Sequence, residues 1–327
     1  MILSSADHTY KIAVIVTLYN KELEISRCIY SVAIQSLKPD ILVIVDDKST
    51  DNGLKIAKSL KIDIPVLFIE NSENVGPSIA RNIGVNSVSA EYIAFLDADD
   101  YWLPNFLEEV VLNLKHENAS FCATSYFYCY GDERFLSKTD VTENGFIDDF
   151  FASFSSIRLP FVTSSVCMRQ DLFKFLGGFK KEISLGEDII LWSSAWQFGG
   201  IFLIKEPLVC YSLDANSSQV RRSSYADIVS FLDYFRCSFD VSSLRTDKEL
   251  SSYNSFLVKT YVRACLGAAL SSKRREFDKL MELRIDFCLS PTTILFWLYW
   301  SLSILPNFLR VRFANFILRC IRCLRKI

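Results

Sequence analysis

Tyr92-Ile93-Ala94-Phe95-Leu96-Asp97-Ala98-Asp99-Asp100 runs apolar for five residues and then turns abruptly into carboxylates. An apolar run without alternation suits a strand buried on both faces. Three similar runs precede it, Ile12–Leu18, Ile41–Val45 and Val66–Ile69, each ending in polar or glycine-containing sequence. Between them Leu23, Arg27, Cys28, Ile29, Val32 and Ala33 recur at helical spacing, and Asn52–Leu60 does so more briefly. Pro77–Val85 opens with a proline suited to a first helical turn. Continuous apolar strands separated by helices predict an α/β chain with a mostly parallel central sheet flanked by helices.

Ligands of such sheets sit beyond the carboxyl ends of the strands. The residues found there are Thr17-Leu18-Tyr19-Asn20, Asp46-Asp47-Lys48-Ser49-Thr50-Asp51, the segment from Asn71 to Gly76, and Asp97-Ala98-Asp99-Asp100. Singly, each has the composition of a turn or a helix cap. Two carboxylate clusters on one edge are another matter, because close like charges raise one another's pKa and are costly without a cation or hydrogen-bond donors. A metal or a ligand is the natural compensation. Downstream, Ser120–Tyr130 reads as an aromatic strand, Gly131–Gly145 as a polar loop, Phe161–Met168 as a strand and Gly186–Phe198 as a helix. Ile201–Ile204 and Leu208–Tyr211 read as two short strands, and Tyr225 to Asp286 as mostly helical.

The chain has 327 residues, 50% hydrophobic and 23% charged, enough to bury a sizeable core and unlike a disordered segment. Its net charge of −2 argues against a bulk nucleic-acid binder. No acidic residue follows Asp286, whereas Arg310, Arg312, Arg319, Arg322, Arg325 and Lys326 do, so an acidic body precedes a basic tail. The ten cysteines are scattered singly in apolar runs, as small buried hydrophobes are. Cys320 and Cys323 form a CxxC without a second pair, and with only His8 and His116 in the chain a zinc site is not indicated. Ile12–Leu18 is too short for a secretory core, and a reduced, cytosol-facing compartment is expected.

The order of motifs resembles the family 2 glycosyltransferases, inverting nucleotide-sugar enzymes of the GT-A fold. The matching residues are Val16-Thr17-Leu18-Tyr19-Asn20 with Glu22, Val45 to Asp51, Asn74-Val75-Gly76-Pro77-Ser78-Ile79-Ala80-Arg81-Asn82, Phe95 to Asp100, and Gly186-Glu187-Asp188 with Leu191-Trp192. They span roughly residues 12–192 and leave the C-terminal third uncovered. The resemblance implies that Asp47 accepts a hydrogen bond from the nucleotide base, most often uracil in this family, in a pocket lined by Thr17 and Tyr19, with Asn20, Glu22 and Asp46 beside it. It places Gly76 at the phosphate-side helix, where a helix N-terminus favours anions. Arg81 either contacts the diphosphate or orients the aspartates. Asp97 lies near the ribose or the metal, and Asp99 holds Mn²⁺ or Mg²⁺, a hard cation that stabilises the leaving diphosphate.

An inverting transfer is a single displacement that needs a base for the acceptor hydroxyl. The resemblance gives that role to Asp188, with Glu187 its neighbour. Trp192 is either a platform for a sugar face or part of the core. Two positions depart from the family pattern. Lys48 stands where a glycine is usual, so the turn differs or a charge is placed near the phosphates. Asp214 replaces a downstream histidine, as a third metal ligand or as an ordinary loop residue, and Arg221-Arg222 follow as a closing loop or a solvated pair.

Ile294–Leu305 is apolar but shorter than the twenty residues a bilayer span needs, and Pro306 interrupts it. Beyond it Arg312, Asn315, Arg319, Arg322 and Lys326 share one helical face, and Leu309, Phe313, Phe316, Ile317, Cys320, Ile321 and Leu324 the other. That pattern suits a helix lying on an anionic membrane, or one packed against the body or in an oligomer contact. The expected organisation is a catalytic domain over 1–220, a helical region over 221–290 and a membrane-associating tail over 291–327. The expected partners are a UDP-sugar and a polyprenyl-diphosphate-linked glycan acceptor of polysaccharide, capsule or O-antigen assembly, met at the inner face of the cell membrane. The alternatives are transfer to a polyprenyl monophosphate, nucleotidyl transfer, or an inactive sugar-nucleotide-binding partner at the membrane.

Overall fold

The computed structural model describes residues 10–131, 133–137, 142–155, 159–213 and 225–270. The chain divides into two compact units, Met1–Ser218 and Gln219–Ile327. The first alternates strand and helix: β1 (Tyr10–Leu18), α1 (Ile25–Ala33), β2 (Ile41–Asp46), α2 (Gly53–Ser59), β3 (Val66–Glu70), α3 (Pro77–Asn86) and β4 (Ala90–Asp97). There follow β5 (Tyr101–Trp102), α4 (Phe106–His116), β6 (Phe121–Tyr130), β7 (Glu133–Leu136), β8 (Gly145–Phe146) and α5 (Phe150–Phe154). The unit continues through a 3₁₀ turn (Thr163–Ser165), β9 (Val166–Arg169), α6 (Gln170–Phe175), α7 (Glu187–Gly199) and β10 (Phe202–Ser212).

One sheet runs β3-β2-β1-β4-β9-β6-β10-β5, with β7 added to β6 and β8 to β10. The pairs β3–β2, β2–β1, β1–β4 and β6–β10 are parallel, and β9 sits antiparallel between β4 and β6. The central strands are apolar throughout because both faces are covered. Ile12, Val14, Val16 and Leu18 of β1 join Tyr92, Ala94 and Leu96 of β4 in the core beneath α1 and α4. On the opposite face Ile15 and Val45 meet Gly84 of α3, where a Cβ would lie 2.6 Å from Ile15 Cγ2. Phe95 also faces that side and packs against Phe173, Phe179 and Trp192.

Several sequence expectations are corrected at their edges. Residues 161–168 are not all strand: the Thr163-Ser164-Ser165 hydroxyls favour a turn, and the ladder starts at Val166. The two short strands after residue 200 are a single β10 whose register shifts around Pro207, which has no N–H to give the ladder. The polar loop at 131–145 contains β7, an edge strand on β6. The first helix begins at Ile25, leaving Leu23 85% exposed. Trp192 is 1% exposed among Phe95, Phe121 and Phe179, so it is core and no sugar platform.

In the second unit the described residues form α8 (Tyr225–Cys237) and α9 (Asp247–Leu270). The rings of Phe231 and Phe235 pack on Phe256, and the Tyr253 hydroxyl donates to the Phe235 carbonyl at 2.7 Å. Among the described residues no helix is long and apolar enough to cross a membrane. The expected helix over 271–286 and the tail over 291–327 lie outside the described residues.

Candidate active site

The carboxyl ends of β2, β1 and β4 lie side by side. Leu18 is level with Asp46, and Thr17 with Asp97. With strands about 4.8 Å apart, Asp46 and Asp97 stand roughly 10 Å from one another across β1.

The β2 end is built around Asp47, which is 3% exposed. Its Oδ1 accepts from Asn71 Nδ2 and the Val75 amide at 2.9 Å each, and its Oδ2 from the Gly76 amide at 2.8 Å. Asp47 thereby fixes the loop that leads into α3, where Gly76 adopts φ +84 immediately before Pro77. Asp46 is buried beside it: Oδ2 accepts from the Ser49 amide at 3.2 Å, and Oδ1 has no hydrogen-bond partner among the described residues. Asn20 (φ +52) and Glu22 bind neighbouring loops together. Asn20 Oδ1 accepts from the Thr50 amide at 2.7 Å, and Glu22 Oε2 from Asn52 Nδ2 and its amide at 3.0 Å each. These bonds lower the Glu22 pKa. The ring of Tyr19 is partly buried at the same edge.

Lys48 has φ +64, so the turn after Asp47 keeps a glycine-like backbone although the residue is a lysine. A left-handed conformation costs a non-glycine residue on the order of 1 kcal/mol.

At the β4 end every acidic group meets a positive charge or a hydroxyl. Asp97 Oδ1 accepts from Arg81 Nη2 at 2.7 Å and from the Thr17 hydroxyl at 3.3 Å. Asp99 Oδ2 accepts from Lys21 Nζ at 2.6 Å. Asp100 is 2% exposed; the Ser164 hydroxyl donates to its Oδ2 at 2.5 Å and the Ser212 amide to its Oδ1 at 2.8 Å. Burial, reinforced by the charges of Asp99 and Asp97, pushes the Asp100 pKa well up. Arg27 Nη2 donates to the Asp99 carbonyl at 3.0 Å and to Ser212 Oγ at 2.8 Å, with its guanidinium over the Tyr101 ring.

Arg81 joins this rim to the start of α7. It is 5% exposed and reaches Glu187 Oε1 through Nη1 at 3.3 Å while holding Asp97. Burial alone would weaken its charge, but Asp97 and Glu187 outweigh burial and keep it protonated. The Arg81 guanidinium is thus paired with carboxylates on both sides. Gly186 takes φ +77 and turns the chain into α7, which starts at Glu187. Burial and the neighbouring Asp188 push the Glu187 pKa up to about 7 against the pull of Arg81. Asp188 is raised as well, mainly by burial, while its Oδ1 accepts from the Ile189 amide at 2.7 Å and its Oδ2 from the Thr163 hydroxyl at 3.2 Å.

Thr17, Arg81, Asp97, Glu187 and Asp188 thus form one connected group, with Asp99 one turn away. The side chains of Asn20, Glu22 and Asp47 bond to backbone and loop partners. Asp214 and Arg221-Arg222 lie outside the described residues. Lys21, Thr163 and Ser164 escaped the sequence reading. Lys21 was legible as the cation between Asn20 and Glu22, whereas Thr163 and Ser164 were hidden in a run read as strand.

Divalent-cation chemistry fits Asp97 and Asp99. Asp97 Oδ2 and Asp99 Oδ1 are hard oxygen donors that accept no hydrogen bond among the described residues. Among those residues no group of three acidic, histidine or cysteine side chains could hold an ion alone, so substrate oxygens or water would complete the shell.

The Glycosyl transferase family 2 model matches residues 13–176. An uncharacterized glycosyltransferase of Rickettsia felis is 27% identical over 267 residues, covering 79% of this chain and 41% of that protein. Glycosyltransferase GlyA of Streptococcus pneumoniae is 36% identical over 118 residues, covering 36% of this chain and 17% of that protein. The chain therefore spans less than half the length of these relatives. The crystal structure of S. aureus TarS 1–349 in complex with UDP-GlcNAc superimposes with a TM-score of 0.67 at 17% identity, over 83% of this chain and 79% of that one. That likeness shows a GT-A arrangement of the sheet and its helices.

Proposed function

The chain belongs to glycosyl transferase family 2, and from that premise we propose that it is an inverting glycosyltransferase moving a sugar from a UDP-sugar to a hydroxyl of a glycan acceptor. The observation that carries the reading is Arg81, which holds Asp97 at 2.7 Å and Glu187 at 3.3 Å and so fixes donor-side and acceptor-side carboxylates in one frame. The UDP-GlcNAc bound by TarS supports the choice of donor.

Asp188 accepts the proton of the attacking hydroxyl. Its Oδ2 is steadied by Thr163, and its raised pKa makes it a better base than a surface aspartate. The hydroxyl oxygen forms the new bond to the anomeric carbon as the bond to the diphosphate breaks, and that electron pair leaves with UDP. Asp97 and Asp99 would hold Mn²⁺ or Mg²⁺, with Asp214 as a third ligand, and that ion would supply positive charge to stabilise the departing diphosphate. Asp47 sets the backbone of the pocket in which the base would sit beside Thr17 and Tyr19, and Asn20, Glu22 and Asp46 stiffen its wall. Gly76 brings the backbone of α3 close to the phosphates.

The acceptor is a polyprenyl-diphosphate-linked glycan of surface-polysaccharide assembly, met at the inner face of the membrane through the tail over 291–327. The alternation of apolar and arginine positions in that tail supports this assignment.

The decisive assay supplies radiolabelled UDP-sugars with Mn²⁺ and follows label into acceptor and UDP into solution. Asp188→Asn is expected to lower kcat by about 10²-fold or more, and Asp99→Asn to do the same at limiting metal. Undiminished turnover in both variants would sink the mechanism. Release of sugar 1-phosphate in place of UDP would identify nucleotidyl transfer, and absence of turnover with every donor an inactive binder.

A further inference from the structure

Among the described residues nine positions have positive φ. Six are glycines and two, Asn20 and Asn118, are the residue type that best tolerates this backbone; the ninth is Lys48. An unbranched cationic side chain has no local hydrogen bond with which to offset the left-handed conformation, so glycine or asparagine would serve the turn better.

Lys48 does not serve to neutralise its neighbours. It follows Asp46 and Asp47 and precedes Asp51, yet it makes no ion pair or hydrogen bond among the described residues. The other cations at this rim are committed: Arg81 to Asp97 and Glu187, Lys21 to Asp99, and Arg27 to Ser212 and the Asp99 carbonyl. Lys48 is exposed, on a flexible four-carbon stem, at the end of β2 next to the buried Asp47. The strained backbone and the uncommitted ammonium coincide at the edge where the nucleotide is proposed to lie.

We infer that Lys48 is a donor-binding residue whose ammonium pairs with the phosphate oxygens of the bound nucleoside diphosphate. The inference presupposes the nucleotide-sugar site proposed above and adds to it a contact that a glycine in this turn could not make. The strain is retained because the same residue that distorts the turn recognises the anion.

Calorimetric titration of the full 327-residue chain with UDP and with uridine, in Mg²⁺ buffer, tests this. Lys48→Gly is expected to raise Tm by about 2 °C and to weaken UDP binding about tenfold, with uridine affinity unchanged. Lys48→Arg, which keeps the charge, should bind UDP within about twofold of the unaltered chain. Three results overturn the inference: a lower Tm for Lys48→Gly, unaltered UDP affinity, or equal losses for UDP and uridine, which would mean a deformed turn. If the unaltered chain binds neither UDP nor uridine, the nucleotide-sugar reading itself falls, a failure distinct from the loss of Lys48's role alone.

Discussion

At the scale of single residues the site is governed by how few positive charges serve many carboxylates. Glu187 is held near 7 by burial and by Asp188, and Arg81 prevents a further rise. The pair loses its last proton near neutrality, so kcat/KM should climb with pH to a plateau above about 7. Glu187→Gln removes the neighbouring charge and should move that midpoint to lower pH, measurable as a displaced limb of the rate profile; an unmoved limb would show that the pair does not govern the rate. The linkage to folding has the opposite slope. A carboxyl whose folded pKa lies above its unfolded one contributes most below about pH 4.5, and that contribution is lost as pH rises toward 7. Residue identities at the strand ends were legible because Asp97, Asp99 and Asp47 follow unbroken apolar runs. Their partners were not: that Arg81 would span Asp97 and Glu187, at opposite ends of a long stretch of sequence, depends on how α3 and α7 meet over the sheet.

At the scale of elements the approach of α3 to the sheet sets the position of Arg81. Gly84 allows it, since an added methyl would lie 2.6 Å from Ile15 Cγ2 and 3.1 Å from Val45 Cγ2. Gly84→Ala gains about 1 kcal/mol of helix propensity, but overpacking costs about 1–3 kcal/mol, and both methyls belong to β-branched side chains with little freedom to move. A net loss of about 1 kcal/mol is expected in urea unfolding. A gain in stability would show that α3 is not seated so closely. The parallel strands β1 to β4 and helices α1 to α3 were readable from periodicity alone, because two-sided burial leaves an unmistakable apolar run. Strand β7 was not, since it is a fully exposed edge, and β9 was readable as a strand but not in its start, since it emerges from a hydroxyl-rich turn.

At the scale of the whole molecule the acidic body and basic tail make a prediction that the fold does not reach. If residues 291–327 dock on anionic lipid, the full chain should sediment with phosphatidylglycerol vesicles at low salt and be released as ionic strength rises. A chain ending near residue 290 should remain in the supernatant, and its co-sedimentation would refute the role given to the tail. The family and fold were readable from five motifs in order, whereas the identity of the transferred sugar was not, because a fold hosts many specificities and the site alone selects among them.

Arg81 has one further consequence. Because a single guanidinium serves both Asp97 and Glu187, the two halves of the proposed reaction centre cannot be tuned independently. Neutralising Asp97 removes a charge that favours the proton on Glu187 and leaves the whole of the arginine's field to that carboxyl. A substitution intended to retune donor preference would therefore also acidify the group beside the base, so re-engineering one half means redesigning the other.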